Sequence, residues 1–311
     1  MSTRKIWNGT QWVEIGSPAL ANVTPITQVG YDLLGSPDPA TMYMIIDNTG
    51  GNNDAQSFRI NQRLVQKIMV GGNQLWQPVV WATGGTVSDI DVSGVMWRVH
   101  TFTSSGSFEV LQPSLDIEYL IVAGGGRGGD GGASWGWSGG YGGGGGVLSG
   151  SSSLPSSVYP ISIGNGGTTP GSNGGNTTFN GLVAVGGGAG GSNGPGASGG
   201  SGGDGGAGTS AGGLGTPGQG HNGGAANIGP GGGGGAGTVG GNGTNNWNAG
   251  TIGAGLISTI SGTPIEYSKG GSGTGLVSNG CGGNLGGWSG GSAMSGKPGN
   301  PGVAIVRYQI G

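Results

Sequence analysis

Cysteine is nearly absent from this 311-residue chain: Cys281 stands alone, so no disulfide framework can form within it. Histidine is almost as scarce. His100 and His221 are the two present, and with a single cysteine they match no zinc-ligand spacing. Charged residues make up 7% of the chain and the formal net charge is −3; without a basic stripe to neutralise phosphates, no nucleic-acid partner is expected. No apolar run approaches eighteen residues, and Met1-Ser-Thr-Arg-Lys5 leads into polar sequence. Neither a membrane-spanning helix nor a signal peptide is expected, which places synthesis in a cytoplasm.

The chemical inventory is equally thin. Asp89 with Asp91 and Asp116 with Glu118 are carboxylate pairs two residues apart, but neither has an accompanying acid, base or metal ligand, so solvated strand faces account for them. The segment Gly291-Ser-Ala-Met-Ser-Gly296-Lys297 approaches a phosphate loop, yet Pro298 stands where a magnesium-binding Ser or Thr is needed. His100, in the alternating stretch Met96–Phe102, reads as a strand residue, and His221 as a turn residue. No catalytic residue, metal site or cofactor is expected, and the chain reads as no enzyme.

What is abundant is glycine. Of 85 glycines, 12 lie in residues 1–119 and 73 in residues 120–311. Ordering 73 glycines instead of alanines costs on the order of 35–70 kcal/mol, so the region is either disordered or held by a cooperative architecture. Order is favoured by aliphatic segments that punctuate it: Glu118-Tyr-Leu-Ile-Val-Ala123, Val158-Tyr-Pro-Ile-Ser-Ile163, Gly181-Leu-Val-Ala-Val185, Gly255-Leu-Ile-Ser-Thr-Ile260 and Val303-Ala-Ile-Val-Arg-Tyr308. A flexible linker has no use for such β-forming segments.

Between them glycine recurs with a three-residue period, at 196, 199, 202, 205 and 208 and again at 212, 215 and 218. That is the period of a polyproline-II-like helix, whose backbone groups find no partner within the helix. Collagen requires an unbroken register, which this sequence loses every few triplets. The expected solution is a set of short, extended, left-handed helices folded back on one another, pairing amides and carbonyls between neighbours. The fold class read from the sequence is mainly β: a small N-terminal β domain, then a glycine-rich domain mixing short strands with polyglycine-II-like helices and long loops. The expected boundaries are 1–80, 81–119 and 120–311.

The first of these parts reads as short strands. Asn8-Gly9 between Lys5-Ile-Trp7 and Trp12-Val-Glu14 predicts a hairpin with a type I′ turn, bringing Trp7 and Trp12 together. A polar loop follows, then strands within 37–47 and 56–76. Such a domain of about 75 residues is marginal alone and gains from oligomerisation.

Three segments carry a family resemblance: Trp97-Arg-Val-His-Thr-Phe-Thr-Ser-Ser-Gly-Ser-Phe-Glu-Val110, Glu118-Tyr-Leu-Ile-Val-Ala-Gly-Gly-Gly126 and Gly299-Asn-Pro-Gly-Val-Ala-Ile-Val-Arg-Tyr308. Together they resemble the opening and closing elements of the glycine-rich domain of tailed-bacteriophage tail fibres. The glycine region is also similar to the receptor-binding tip of T-even-type phage adhesins, although its runs here are shorter and interleaved with strands. The Trp7–Trp12 hairpin, Pro37-Asp-Pro-Ala-Thr-Met-Tyr43 and Val70-Gly-Gly-Asn-Gln-Leu-Trp76 resemble modules that attach such appendages to the virion. The resemblance implies a non-enzymatic virion protein, a homotrimer located in the tail, with other tail or baseplate proteins as partners at its N-terminus. A purely structural capsid or neck decoration protein is the alternative.

The resemblance also implies that loops of residues 120–311 contact the bacterial surface, through a surface glycan or an outer-membrane protein. The candidates are aromatics set among small polar residues, since Trp and Tyr give large contact area at low entropic cost. They are Trp135, Trp137 and Tyr141; Trp247 with Asn245 and Asn246; Tyr267; and Trp288. Trp7, Trp12, Tyr43 and Trp76 are the candidate docking residues.

Overall fold

The computed structural model describes the strands before residue 77 and then residues 80–310, apart from 133–137, 207, 245–247, 272–277, 287, 290 and 291. The early strands are β1 (Lys5–Trp7), β2 (Trp12–Glu14), β3 (Asn22–Ile26), β4 (Thr41–Ile46), β5 (Phe58–Ile60), β6 (Arg63–Val70) and β7 (Asn73–Trp76). β8 (Ala82–Thr83), β9 (Thr86–Val92), β10 (Val95–Phe102), β11 (Gly106–Val122) and β12 (Val147–Ser162) follow. The remainder are β13 (Thr177–Phe179), β14 (Leu182–Ala184), β15 (Leu256–Ser258), β16 (Ile265–Tyr267), β17 (Trp288–Ser289), β18 (Ser292–Ala293) and β19 (Val303–Gln309). The fold is mainly β, as the sequence predicts. The chain divides into two compact units: Met1–Trp81 with Val87–Arg98 and Gln309–Gly311, and Ala82–Thr86 with Val99–Tyr308.

In the first unit, β1 and β2 form the predicted antiparallel hairpin, with Trp7 opposite Trp12. Four residues separate that pair, two more than a two-residue type I′ loop contains; residues 8–11 themselves lie outside the described set. A five-stranded sheet runs β3-β4-β6-β5, with β7 also on β6. β3 falls in the segment expected to be a polar loop. Its Pro25 removes a ladder donor, and β3 lies accordingly at the sheet edge, parallel to β4. The Arg98 guanidinium and Asp89 carboxylate form a bidentate ion pair, 2.9 and 3.1 Å, with both side chains at most 2% exposed. Asp89 is thus no solvated strand residue, which corrects the expectation for it, whereas Asp91 is exposed on the same strand.

The sheet of the second unit has the order β14-β13-β12-β11-β19, with β8 also on β11. Its longest pairing is β11 with β12, interrupted between Val110 and Ser114, where Pro113 cannot donate to a ladder. Leu115 and Ile117 are buried while Asp116 is exposed, and from Leu120 to Val122 every residue is buried. β11 therefore passes from a strand with one wet face to one enclosed on both. The compositional boundary at 119/120 falls inside it. Phe108, Phe179, Leu120, Leu154 and Tyr308 are at most 2% exposed and form the core of this part. His100, fully buried among them, packs edge-on to Phe108 and donates Nδ1–H to the Gly84 carbonyl at 2.7 Å.

All five aliphatic segments named from sequence overlap strands of this unit, and the glycine tracts between them pair with one another by a regular rule. In residues 139–147, the amides of Gly139, Gly142 and Gly145 donate to the carbonyls of Gly286, Gly283 and Gly280. Those of Gly140, Gly143 and Gly146 donate to Gly191, Gly188 and Val185, and that of Gly144 to Gly234. The carbonyls of Gly140, Gly143 and Gly146 accept from Gly129, Gly126 and Ala123, those of Tyr141 and Gly144 from Asp204 and Ser201, and that of Gly142 from Gly271. The partner changes with every residue and returns every third. One run thereby bonds to six neighbours. A Cβ at Gly143 would lie well under 3.0 Å from the Ser201 carbonyl, so no other residue type fits there.

Candidate functional site

The hydrogen bonds between runs sort the connections into two ends. At the sheet end, Ala123 donates to Gly146, Gly145 to Gly280, Gly280 to Pro301 and Gly146 to Val185. At the far end, Gly131 donates to Met294, Gly139 to Gly286, Gly140 to Gly191 and Gly206 to Gly194. Further along that end Ala226 donates to Ser210, Gly229 to Thr244 and Gly250 to Pro230. The segments 132–138, 192–193, 207–209, 227–228, 245–249 and 287–293 are therefore all bounded by residues of the far end.

Most of the candidate contact residues belong to those segments. Trp135, Trp137, Asn245, Asn246 and Trp247 lie outside the described residues, but their flanks, Gly131 with Gly139 and Thr244 with Asn248, are at the far end. Thr244 donates its amide to the Asn248 carbonyl at 3.2 Å, drawing the ends of that loop together. Trp288 opens the short hairpin β17–β18, opposite Ala293; its side chain is likewise outside the described set. Tyr141 is half-buried two residues inside the array, where burial raises its phenol above the usual tyrosine range.

Tyr267 is the exception. It is 3% exposed in β16, paired with Leu256 at the sheet end, and does not project from a loop. Glu266 and Ser268 flank it with polar groups, but Leu256, its register partner on β15, is an apolar neighbour that only the pairing reveals. Of the docking candidates, Trp7 and Trp12 are register partners, Tyr43 pairs with Thr24 and Met69, and Trp76 with Ile68. Their side chains lie outside the described set.

Sequence reasoning missed the electrostatic knot that ties the far end together. Arg127 donates from Nη2 to Asp130 Oδ1 at 2.7 Å and from Nη1 to the Gly128 carbonyl at 2.9 Å. Asp130 Oδ1 also accepts the Gly296 amide at 2.8 Å, and the Asp130 amide donates to Ser192 Oγ at 2.9 Å. Burial pushes the Asp130 carboxyl up, but the Arg127 hydrogen bond, the Gly296 amide and the Arg127 charge together hold it below the usual carboxylate value. The signal was present: two of the seven charges in residues 120–311, of opposite sign, three apart.

At the sheet end, Arg307 clamps elements in the same manner. Nε and Nη2 bind Glu118 Oε2 at 2.8 and 2.6 Å, and Nη1 reaches the carbonyls of Thr259 and Ile260 at 3.4 and 3.3 Å. An open groove of about 330 Å³ lies here, bordered by Glu118, Ser149, Ser151, Ser258 and Arg307. Among the described residues no group of three or more His, Cys, Asp or Glu side chains is placed to hold a metal ion.

A family model described as a glycine-rich domain matches residues 103–309. No curated protein matches the chain.

Proposed function

Because this chain belongs, over residues 103–309, to the glycine-rich domain family, we propose that it is a bacteriophage tail fibre whose glycine-rich domain is a receptor-binding adhesin. In this reading the domain is a non-enzymatic spacer and display platform. Its runs are polyglycine-II-type helices, a reading supported by hydrogen-bond partners that return every third residue. Backbone-to-backbone packing makes it rigid, and the connections at one end carry the contact residues. The protein is made in the host cytoplasm and resides in the virion tail as a homotrimer. The N-terminal strands carry the attachment to tail or baseplate proteins.

The observation that carries the reading is the gathering at one end of the residues that bound the segments of Trp135, Trp137, Trp247 and Trp288, far apart in sequence. Aromatic side chains stack on sugar faces and fill protein pockets with little entropic loss, so the partner is a bacterial surface glycan or an outer-membrane protein. Tyr267, buried at the other end, is not among the contacts.

The test is binding of the fluorescently labelled full-length chain to host cells that adsorb the virion, beside a variant with those four tryptophans changed to alanine. Saturable binding by the parent and at least a tenfold loss in the variant, with both folded by circular dichroism, is the expected result. Equal binding by the two would remove the far-end aromatics from the reading. Absence of binding by either would replace the adhesin with a structural decoration role.

A further inference from the structure

Residues 199–206 carry two polar side chains, Ser201 and Asp204, three residues apart and hence on one side of a run whose bonding repeats every third residue. Both are 0% exposed. Their backbones are fully engaged: the Asp204 amide donates to the Tyr141 carbonyl at 2.9 Å, and the Asp204 carbonyl accepts from Gly191 at 2.9 Å. Their side chains are not. Ser201 Oγ and both carboxylate oxygens of Asp204 make no well-formed hydrogen bond, the Tyr141 amide being the donor that approaches the carboxylate. Asp204 Oδ1 fills the space that a Cβ on Gly140 would need.

The runs packed against 199–206 are 139–147, 185–191, 194–197, 210–216, 219–226 and 229–237. None contains Lys, Arg, Asp or Glu. Their titratable side chains are Tyr141, which faces Asp204, and His221, which is exposed. A carboxylate enclosed without a cation or a set of donors is strongly disfavoured against its neutral acid. The backbone bonds on either side of Asp204 leave no room to turn the group toward water unless residues 139–147 and 199–206 part.

We propose that Asp204 is held in the folded domain as the neutral acid, and that its ionisation is a built-in release that loosens the glycine array along the seam between residues 139–147 and 199–206. This does not depend on what the domain binds. Burial raises the carboxyl well above its ordinary value, so the folded domain keeps a proton that the unfolded chain loses above about pH 4. From there upward the folding equilibrium weakens by about tenfold per pH unit until Asp204 itself ionises; below about pH 4 both states are protonated and the effect vanishes.

The experiment compares denaturant unfolding of the full chain and its Asp204→Asn variant from pH 3 to 9. Asparagine has nearly the shape of the neutral acid and cannot ionise. The expected result is a ratio of parent to variant folding constants that is constant below about pH 4 and falls about tenfold per unit above it. A ratio that stays constant across the range overturns the proposal. The second measurement needs no variant: a carbon-13 titration of the parent, whose sequence holds nine aspartates. One carboxyl resonance that remains protonated well above the pH at which the other eight ionise is expected; nine that all ionise near or below pH 4 overturn the proposal even if Asp204→Asn does not fold.

Discussion

The larger unit contains two kinds of interior. Around β11 and β12 the interior is side chains: Phe108, Phe179, Leu120 and Leu154, withdrawn from water at roughly 1.5–3 kcal/mol each. In the array built on residues 139–147 the interior is backbone, and the favourable term is a dense set of amide-to-carbonyl bonds, each contributing about 0.5–1.5 kcal/mol net. The two fail differently. A hydrophobic core accepts replacement of similar volume, whereas an array with no side chains has no volume to trade. Only a missing Cβ lets six neighbours approach one run.

Substitution at the centre of the array is the strongest test of this contrast. Gly143→Val should cost about 4–5 kcal/mol or more, because the new Cβ meets the Ser201 and Gly202 backbone and neither can retreat without breaking bonds to other runs. Chemical denaturation of the full chain would measure it. A loss no larger than at an exposed glycine would mean the array is loosely packed. In the sheet, Phe108→Ala should cost about 3–5 kcal/mol and Phe108→Leu much less, in the same assay. That gradation has no counterpart at Gly143, where Ala should already be severe.

The next prediction separates the two aspartates of the array, part-exposed Asp130 and enclosed Asp204, by sign. Asp130 is held below its ordinary value in the fold, so its contribution is present above about pH 4 and is lost as pH falls through the lower folded value. Asp130→Asn should therefore flatten the acid side of the stability profile, while Asp204→Asn alters the profile above pH 4. Profiles that respond identically to the two substitutions would contradict the assignment. The smallest effect is expected at Gly194, where a Cβ would meet nothing within 4 Å and φ is not positive. Gly194→Ala should change stability by no more than about 0.5 kcal/mol, marking the edge of the close-packed region.

Much of the sheet was legible from sequence because strand signals are local. Val303–Tyr308 and Glu118–Ala123 announce buried strands by their aliphatic runs, and Trp7 and Trp12 announce a hairpin by flanking Asn-Gly. β3 was missed because Pro25 argues against a strand and is tolerated at an edge. The reading of Tyr267 failed for a related reason: Glu266, Ser268 and Lys269 beside it say polar loop, while the strand that pairs with it, β15, lies about ten residues away. The convergence of segments 132–138, 245–249 and 287–293 on one end was not legible at all. It depends on the direction of each run, which no local signal encodes.

The amino-acid sequence by itself determined that much of the interior of residues 120–311 is backbone, since 73 of those positions are glycine and have no side chain to bury. It also determined the three-residue period, through the spacing of those glycines. The tertiary structure alone decided which run neighbours which, because every glycine amide is chemically the same and can pair with any carbonyl. Register and direction come instead from the residues that are not glycine. Arg127 and Asp130 tie the far end, Arg307 and Glu118 clamp the sheet end, and Asp204 lies enclosed between them, where its charge is excluded.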